Sequence, residues 1–471
     1  MNNGLYYALC GALTLGVLAG IAMMSRVRWA AAGNLLSAGC VAAAIALTLW
    51  RGGIIGDTLL WICAGAGLVA GLAGAWRVAM IAMPQTVGLL NGLGGAASAL
   101  VAYVALIDGP PIGIFGQSAA AVALIVGTAT LSGSLVAAGK LQRLLPQQPV
   151  RGRARQLITL VSLLSALALA ALIPALDGAS QIAAALICAA ASAALGAAFA
   201  VGVGGADMPI TISLLNSLSG VAGAIAGMAV SDPLLVAVGG VVGASGLLLT
   251  RIMCRAMNRP LVGILAGGAI APKRENGEAL RPEPEDAPGP EPEDAPAGGP
   301  DEAAALLAEA RFVIIVPGYG MALSQAQERV RELADWLERD GREVLYAIHP
   351  VAGRMPGHMN VLLCEVDVPY EKLREMDEIN PRFAQCDVAL IVGANDVINP
   401  AANTARDTPI YGMPVLDAAR ARRVILCNYD TKPGYAGVEN PLYSDPRALT
   451  LTGDAKETLE AILAALAAHG A

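Results

Sequence analysis

A segment in the last third of the chain, from Tyr346 to Tyr370, holds two of its three histidines together with one arginine, three prolines and two glycines. An imidazole can gain or lose a proton near neutral pH, and an arginine fork matches the oxygens of a phosphate. His349 and Arg354 could therefore place a titrating group beside an anionic ligand. A satisfied histidine at a strand end is the alternative for His349, and a structural role is the simpler expectation for His358.

Glycine and polar residues also follow the other short apolar runs of this region. Gly318 and Gly320 come directly after RFVIIVP and open a helical pattern, a context in which backbone amides can hold a pyrophosphate. Leu323 stands where a third glycine would complete that fingerprint, so the pair alone is a weak signal. The other polar strand ends are Gly393 to Asp396, Asn399 with Pro400, Gly434 to Gly437, and Gly453 to Lys456. Together these loops indicate one extended anionic ligand.

The elements that would position these loops are strands alternating with helices between about Asp301 and Ala471. The strands are RFVIIVPG, REVLYAI, DVALIVG, RRVILCN and ALTLTG. An amphipathic helix follows the first strand and stops at Gly341, and PYEKLREMDEI and DAKETLEAILAALAAH are also expected to be helical. The apolar face of the amphipathic helix consists of Ala322, Ala326, Val330, Leu333 and Leu337. This alternation predicts a soluble, Rossmann-like α/β domain with a doubly wound parallel sheet, which binds ligands at the carboxyl ends of its strands.

The first half of the chain is predicted to be a multi-span α-helical membrane domain. Of the 471 residues, 55% are hydrophobic and only 15% are charged, and the mean hydropathy is +0.58. A run of about 20 apolar residues suffices to cross the hydrocarbon core of a bilayer. Nine such runs are expected, at about residues 4 to 24, 30 to 49, 54 to 74, 84 to 106, 115 to 138, 156 to 175, 181 to 203, 209 to 229 and 233 to 253.

Positive charges set the predicted orientation, because Lys and Arg in short loops stay on the cytoplasmic side. They follow the first, third, fifth and ninth runs, whereas the other loops hold almost none apart from Arg51. The N-terminus is therefore expected outside, and everything after Arg255 is expected in the cytoplasm. The start MNNGLYYALC lacks a basic region, which favours an uncleaved first span over a signal peptide.

An acidic, proline-rich stretch separates the two predicted domains. The heptapeptide PEPEDAP occurs twice between Lys273 and Gly299, and this composition cannot bury enough apolar surface to fold. We expect a tether over residues 261–300, between a membrane domain over 1–260 and a soluble domain over 301–471. The eight cysteines form no CxxC motif, so neither a metal site nor a disulfide framework is expected. No nucleic-acid partner is expected either.

Motifs in both halves resemble one known family. In the last third they are PGYGMALSQAQ, IHPVAGRMPGHMNVLL, VPYEKLREMDEIN, IVGANDVINPAA, PIYGMPVL, GYAGVENPLY and GDAK. In the first half they are GGADMP, LLNSLSG and IMCRAMNRP. Their types and order resemble the beta subunit of the proton-translocating NAD(P) transhydrogenase, and only the linker and parts of the early spans are nonspecific.

The resemblance implies a membrane enzyme of the bacterial plasma membrane. It implies that the cytoplasmic domain holds NADP(H), that a separate alpha subunit holds NAD(H), and that hydride passes directly between the two nicotinamides. It also implies inward proton movement across the membrane domain and a homodimer of alpha-beta units. A nucleotide-sensing channel or transporter without hydride chemistry is the rival function, although the acidic residues of the spans lie near span ends rather than at mid-span.

The resemblance also assigns roles to individual residues. His349 and Asp396 lie where the family links cofactor occupancy to the proton site, and a titratable imidazole paired with a carboxylate would provide that link. Arg354 is expected to meet phosphate oxygens, and Tyr435 belongs to the loop that closes over the cofactor. The full set expected to bind the cofactor is Gly318, Tyr319, Gly320, Arg354, Asn395, Asp396, Asn428, Tyr429, Asp430, Lys432, Gly434, Tyr435, Asp454 and Lys456.

One departure from the family concerns the 2′-phosphate that separates NADP from NAD. Relatives commonly have Lys-Arg-Ser before GYAGV, whereas this chain has Asn428, Tyr429 and Asp430. A carboxylate near a ribose is typical of an NAD site, because it accepts from the 2′-hydroxyl and repels a phosphate. Either Lys432 compensates, or this subfamily reads the phosphate differently. NADP stays the leading cofactor because the rest of the site matches.

A second departure lies in the membrane half. Many relatives have a proton-carrying histidine at the position of Asn91, and this chain has no histidine before His349. The expected proton pathway consists of Asn91, Ser98, Asp207, Ser213 and Asn216, the last two in a small and polar stripe with Gly220, Gly223 and Gly227. Amides and hydroxyls can hold a water chain but do not titrate near neutral pH. We therefore expect a helix of the alpha subunit to supply the titratable group; for Asp207, packing or helix capping is the alternative.

Overall fold

A computed structural model gives the fold. It describes residues 3–24, 27–78, 82–107, 113–142, 144–146, 148–150, 152–204, 207–256, 261–265, 299–353, 357–406, 408, 410–434 and 436–469. The chain divides into two compact units, with the main division after Arg251. Most of the predicted tether, residues 266–298, lies outside the described residues, and the domain limits at 260 and 300 stay predictions. A short helix, α10 (Leu261–Leu265), lies in the described part of the tether.

In the described part of the first unit and its continuation, nine helices are long and apolar enough to cross a membrane. They are α1 (Asn3–Met24), α2 (Val27–Gly52), α3 (Thr58–Arg77), α4 (Met83–Ile107), α5 (Ile114–Leu141), α6 (Arg153–Leu172), α7 (Gly178–Val201), α8 (Met208–Ala229) and α9 (Pro233–Ala256). The nine predicted spans are confirmed. The third begins four residues later than predicted because Asp57 caps α3, accepting a 2.9 Å hydrogen bond from the Leu59 amide.

Glycine sets the packing distance between several of these helices. A Cβ at Gly95 of α4 would lie 2.7 Å from the Gly127 carbonyl oxygen of α5, and a Cβ at Gly220 of α8 would lie 2.5 Å from the Gly243 amide nitrogen of α9. Small residues allow this approach where a bilayer provides no hydrophobic drive between helices. Helix α3 differs, because none of its residues is buried and its four glycines have no atom within 4 Å of their Cβ positions.

Two of the cations used to predict the orientation have partners within the helices. Arg51, the exception among the external loops, donates to the Asn3 side chain at 2.9 Å and so joins the end of α2 to the start of α1. Lys140 belongs to the last turn of α5 rather than to a loop, and it is buried. Its ammonium donates to the carbonyl oxygens of Val201 and Val203, both at 2.7 Å. A cation suits this position because a helix C-terminus carries partial negative charge.

The second unit is built on a parallel sheet. Its strands are β1 (Phe312–Pro317), β2 (Glu343–Ile348), β3 (Leu373–Glu375), β4 (Val388–Val392), β5 (Arg423–Asn428) and β6 (Ala448–Thr452). The strand order is β3-β2-β1-β4-β5-β6, and every neighbouring pair is parallel. The order reverses between β1 and β4, which makes this pair the switch point of a Rossmann-like sheet. The predicted fold class is therefore confirmed.

Helices surround this sheet, and one of the predicted helices is divided. The long helix after β1 consists of α12 (Tyr319–Leu323) and α13 (Gln327–Arg339), separated at Gln325, whose φ of +52° no helix can accommodate. The predicted apolar face is buried in both parts, and the chain turns at Gly341 with φ +80°. The closing helix α17 (Ala455–His469) packs on α11 (Pro300–Glu309), a helix that the sequence analysis did not predict.

The prediction of a helix over PYEKLREMDEI was wrong. A 3-10 turn at Tyr370–Lys372 is followed by the edge strand β3 and only then by α15 (Met376–Ile379). The backbone of Leu373 to Glu375 pairs in parallel with Tyr346 to Ile348 of β2. Charged residues favour helix locally, and pairing with the open edge of β2 overrides that preference.

Candidate functional site

The loops after β1 and β4 touch through three glycines. A Cβ at Gly318 would lie 2.1 Å from the Gly393 carbonyl oxygen, and a Cβ at Gly320 would lie 2.6 Å from the Gly393 Cα. Gly393 itself has φ +68°, and its own Cβ would lie 2.4 Å from the Met321 amide nitrogen. Only glycine fits at these positions, so the two loops form one continuous backbone surface at the switch point.

Two backbone hydrogen bonds fasten this contact. The Gly318 amide donates to the Val392 carbonyl at 2.8 Å, and the Gly320 amide donates to the Gly393 carbonyl at 2.9 Å. From the sequence, the amides of this glycine turn were expected to cradle a pyrophosphate. In this structure both amides already have backbone acceptors, so the glycines serve the approach of the two loops rather than donating to a phosphate themselves.

His349 directly follows β2 and is buried, with 2% of its surface exposed. Its Nδ1 accepts from the Val351 amide at 3.3 Å, which leaves Nε2 as the protonated nitrogen that donates to the Pro414 carbonyl at 2.9 Å. Burial lowers the pKa of His349 from 6.5 to about 4, and the bond to Pro414 only partly opposes that shift. His349 is therefore held as one neutral tautomer at neutral pH.

The carboxylate of Asp396 holds a different loop. Its Oδ2 accepts a 3.0 Å hydrogen bond from the Ala436 amide, and a Cβ at Gly434 would lie 2.6 Å from its Oδ1. The pairing of His349 with Asp396 that the sequence analysis considered is not seen, because both ring nitrogens of His349 engage backbone groups of other residues. Asp396 instead fixes the segment from Gly434 to Gly437, which closes a turn through the Gly437 amide and the Gly434 carbonyl.

Asparagine side chains also join the segment after β5 to the loop after β4. Asn395 donates to the Lys432 carbonyl at 2.9 Å and accepts from the Asn440 side chain at 3.0 Å. Asn399 is fully buried and donates to the carbonyls of Val438 and Glu439 at 3.4 and 3.2 Å. From the sequence, Asn399 was noted as a polar residue without a role, and Asn440 was not identified. Neither could be assigned without knowing that the β4 and β5 loops are adjacent.

The three residues that replace Lys-Arg-Ser differ in exposure. Asn428 is buried, and its side-chain amide donates to the Ala394 carbonyl at 2.9 Å and to the Tyr443 hydroxyl at 2.5 Å. Tyr429 is 81% exposed. Asp430 is exposed, and its Oδ1 accepts from the Lys432 amide at 3.2 Å, which forms a turn within the segment. Asn428 therefore faces the protein, while its two neighbours face solvent.

The last predicted strand end has a capping role. Asp454 follows β6, and its Oδ1 accepts from the amides of Lys456 and Glu457 at 2.9 and 3.3 Å, in the first turn of α17. A carboxylate at this position also suits the positive end of a helix. Asp454 and Lys456 thus lie at the carboxyl edge of β6, as predicted, and the described contacts of Asp454 are those of a helix cap.

Two predicted ligands, Arg354 and Tyr435, lie outside the described residues. Their surroundings are described in part. His358, at the start of α14 (His358–Glu365), is buried, and its ring centroid lies 6.5 Å from that of Tyr319. Gly353 has φ +99°, and a Cβ there would lie 2.3 Å from the Nδ1 of His358. His358 thus packs beneath the loop after β2 and beside the loop after β1, which agrees with the structural role expected of it.

In the first unit, Asn91 and Ser98 of α4 both face α8. Asn91 is buried and donates to the Ile212 carbonyl at 3.4 Å. A Cβ at Gly223 would lie 3.7 Å from the Ser98 hydroxyl oxygen. The predicted polar stripe on α8 meets α4 at this glycine.

The rest of that stripe faces α9 instead. Ser213 accepts a 3.0 Å hydrogen bond from Thr250, and Ser217 donates to the Gly243 carbonyl at 2.6 Å. Asn216 is half-buried. Thr250, which is fully buried, was not identified from the sequence. Asp207 occupies the N-cap position of α8, yet in the described residues its side chain does not accept from the first turn of that helix. The structure therefore divides the predicted pathway residues between two sides of α8.

Comparison with known proteins finds one family that matches the chain across both units. Residues 6–465 match the family model described as NAD(P) transhydrogenase beta subunit. The chain is 40% identical over 468 residues to the NAD(P) transhydrogenase subunit beta of Rhodospirillum rubrum, and the match covers 98% of each chain. A second sequence of the same name and species gives the same identity and coverage.

Proposed function

The chain belongs to the NAD(P) transhydrogenase beta subunit family, and we propose that it binds NADP(H) in its C-terminal unit and couples hydride transfer from NADH to NADP⁺ to inward proton movement. The observation that carries the proposal is the glycine contact between the β1 and β4 loops at the switch point of a six-stranded parallel sheet. Ligands of doubly wound sheets bind at that point.

The residues at this edge fit an extended dinucleotide. The three glycines let the β1 and β4 loops touch at the switch point, because a Cβ at any of them would clash with the backbone of the other loop. Tyr319, Gly320 and Gly393 are partly exposed at this contact. The segment from Asn428 to Asn440, fastened by Asn395, Asp396 and Asn399, borders the same edge. NADP(H) would supply the nicotinamide that accepts or gives hydride, and the chain's residues would bind and orient it.

His349 and Asp396 are suited to respond to that ligand, because each side chain accepts a hydrogen bond from the backbone of a loop at this edge. A proton on Nδ1 of His349 would remove the acceptor of the Val351 amide and so loosen the loop after β2. A proton on Oδ2 of Asp396 would remove the acceptor of the Ala436 amide and so loosen the segment after β5. Each protonation acts on a loop beside the proposed cofactor, so proton uptake and cofactor release are linked without a direct bond between the two residues.

The proposed coupling has enough driving force. The two nicotinamide couples have similar potentials, so hydride transfer alone is nearly neutral. One proton charge crossing roughly 200 mV supplies about 4.6 kcal/mol, since 100 mV is worth about 2.3. At about 1.4 kcal/mol per tenfold change, this tilts the equilibrium toward NADPH by about three decades.

The first unit would provide a path but not the titrating group near Asn91. Asn91 and Ser98 face α8 with an amide and a hydroxyl, neither of which titrates near neutral pH. We assign the titratable group to a membrane helix of the alpha partner, the subunit that holds NAD(H). Proton pumping by this chain with a partner that lacks any membrane acid or histidine would contradict that assignment.

The proposed setting is the bacterial plasma membrane, with the C-terminal unit in the cytoplasm and the N-terminus outside. The distribution of Lys and Arg between the loops supports that orientation. The working unit is an alpha-beta pair, two of which form a homodimer.

Reconstitution with the alpha subunit in proteoliposomes tests the whole proposal. Hydride transfer between the two cofactors should acidify or alkalinise the vesicle interior according to its direction, and an uncoupler should speed transfer that works against the gradient. Ion flux gated by nucleotide without hydride transfer would instead favour a sensing channel or transporter.

A further inference from the structure

Resting on the proposed function, we propose that Lys140 is a positioning residue for proton movement through the first unit. Its ammonium holds the connection between α7 and α8, and that connection sets where α8 begins. Helix α8 carries the polar residues that face α4 and α9, so its placement decides whether those residues meet their partners. Lys140 itself lies in the last turn of α5.

Lys140 is buried within the helix bundle and binds backbone. Only 2% of the residue is exposed. Its ammonium donates at 2.7 Å to the carbonyl oxygen of Val201, the last residue of α7, and at 2.7 Å to that of Val203, two residues further on. Val203 is equally buried. Loss of the ammonium would therefore remove the donor of a buried carbonyl, which costs more than the loss of an exposed hydrogen bond.

A second cation lies at the same end of α7. The guanidinium of Arg155, in α6, donates to the Ala198 carbonyl at 3.5 Å, and a Cβ at Gly202 would lie 2.4 Å from its Nη1. Helix C-termini carry partial negative charge and so favour cations. The Arg155 bond stays within α7, whereas the bond from Lys140 to Val203 reaches the connection that follows it. Lys140 is therefore the cation that can fix the connection.

Hydrogen bonds continue from this connection into α8. Gly204 follows Val203, and its carbonyl accepts from the Asp207 amide at 3.1 Å. The Asp207 carbonyl accepts in turn from the hydroxyl of Thr211, in the first turn of α8, also at 3.1 Å. Lys140 thus holds the chain a few residues before the point at which α8 starts.

The contact between α8 and Asn91 depends on this placement. Asn91 donates to the Ile212 carbonyl at 3.4 Å. A hydrogen bond of that length is close to the limit, so a shift of α8 by a few tenths of an ångström would lose it. Helix α5 also touches α8 directly, since a Cβ at Gly133 would lie 3.2 Å from Leu215 Cδ2. Lys140 therefore ties the end of α5 to the place where the proposed pathway passes from α4 to α8.

The test uses the full chain with the alpha subunit in proteoliposomes, where a dye inside the vesicles reports proton movement during hydride transfer. Lys140→Met has a neutral side chain of similar length and should slow proton movement about tenfold or more, the size of one buried hydrogen bond to a charged group. Lys140→Gln keeps a donor without the charge and should slow it about fivefold. Lys140→Arg should stay within about threefold of wild type, because a guanidinium can donate to both carbonyls.

Hydrogen-deuterium exchange of the same complexes shows whether α8 has moved. Lys140→Met should speed exchange of the amides from Met208 to Leu215, and Lys140→Arg should not. Arg77→Met is the matched control, because Arg77 also lies in the last turn of an apolar helix but is exposed. The control should change neither exchange in α8 nor proton movement. A thermal melt shows which variants remain folded, and Lys140→Gln replaces Lys140→Met if the latter does not fold.

Three results would overturn the inference while the proposed function stands. One is proton movement at the wild-type rate in Lys140→Met. Another is slow proton movement in Lys140→Met with unchanged exchange in α8, because Lys140 would then not act through position. The third is equal slowing in Arg77→Met, which would indicate a general loss of charge. NADPH affinity, measured by calorimetry, should stay within about twofold of wild type in every variant, since the proposed cofactor site lies in the other unit. A wild-type complex that binds no NADPH, or transfers hydride without moving protons, would overturn the proposed function itself.

Discussion

Glycine brings backbones into contact both at the carboxyl edge of the sheet and between helices α8 and α9, with different results. At the sheet edge, Gly318, Gly320 and Gly393 join two loops and leave charged and amide side chains clustered beside them. Between the helices, Gly220 and Gly243 meet, and the hydroxyls of Ser213, Ser217 and Thr250 form hydrogen bonds along the same contact. The same device thus joins two loops at the proposed ligand site in one unit and makes a tight helix contact in the other.

The difference also concerns what can titrate. His349 Nδ1 and Asp396 Oδ2 each accept a backbone hydrogen bond that holds a loop. The polar groups at the α4, α8 and α9 contacts are an amide and hydroxyls, which can pass a proton through water but cannot store one. Under the proposed function, the C-terminal unit would sense protons and the first unit would conduct them.

The largest expected effect is that of Gly393→Ala, which would break the loop contact. Its Cβ would lie 2.4 Å from the Gly320 Cα, and its φ of +68° adds strain. We expect a loss of more than about 3 kcal/mol of stability and of detectable NADPH binding. Gly341→Ala is the control, because it has φ +80° but open space around it, and it should cost only about 1 kcal/mol. Equal costs in thermal melts would contradict a role for loop contact.

His349 should make stability depend on pH. Its pKa in the folded chain is lowered from 6.5 to about 4, so the unfolded chain binds more protons between these values. The stabilisation is therefore complete above pH 6.5 and is lost as pH falls toward 4, by about 3 kcal/mol in all. The melting temperature of the C-terminal unit should fall more steeply with decreasing pH in wild type than in His349→Gln. Parallel curves for the two proteins would show that His349 titrates normally.

Substitution at the helix contact should cost less than at the loop contact. Gly220→Ala would place a Cβ 2.5 Å from the Gly243 amide nitrogen and push α8 and α9 apart. We expect a loss of about 1 to 3 kcal/mol and slower proton movement, because the hydroxyls on this face would lose their partners. Gly71→Ala on α3 has no neighbour within 4 Å and should be neutral or slightly stabilising. The comparison fails if both variants melt alike.

The smallest effect is expected for one hydroxyl between the helices. Thr250→Val removes the 3.0 Å hydrogen bond to Ser213 and should cost about 1 kcal/mol. Thr159→Val removes a hydroxyl that bonds only within its own helix, to the Arg155 carbonyl, and serves as control. If Thr250→Val slows proton movement much more than Thr159→Val while the two variants are about equally stable, this threonine belongs to the pathway.

Long patterns were predicted well from the sequence, whereas contacts between distant segments were not. The spans follow from apolar runs, and the buried face of α13 follows from the spacing of Val330, Leu333 and Leu337. Strand β3 was missed because it exists only by pairing with β2. The side of α8 that Ser213 faces depends on where α9 packs, and the inward turn of Asn428 depends on Tyr443. No local pattern carries such information.

The most direct test of the nucleotide site is hydrogen-deuterium exchange of the full chain with and without NADPH. The account predicts that NADPH slows exchange in peptides covering Gly318 to Ser324, Gly393 to Asn399 and Asn428 to Asn440, with little change in α13. Protection confined to α13 or to other helices remote from the strand ends, or no protection at a saturating concentration, would contradict a nucleotide site at the carboxyl edge of the sheet.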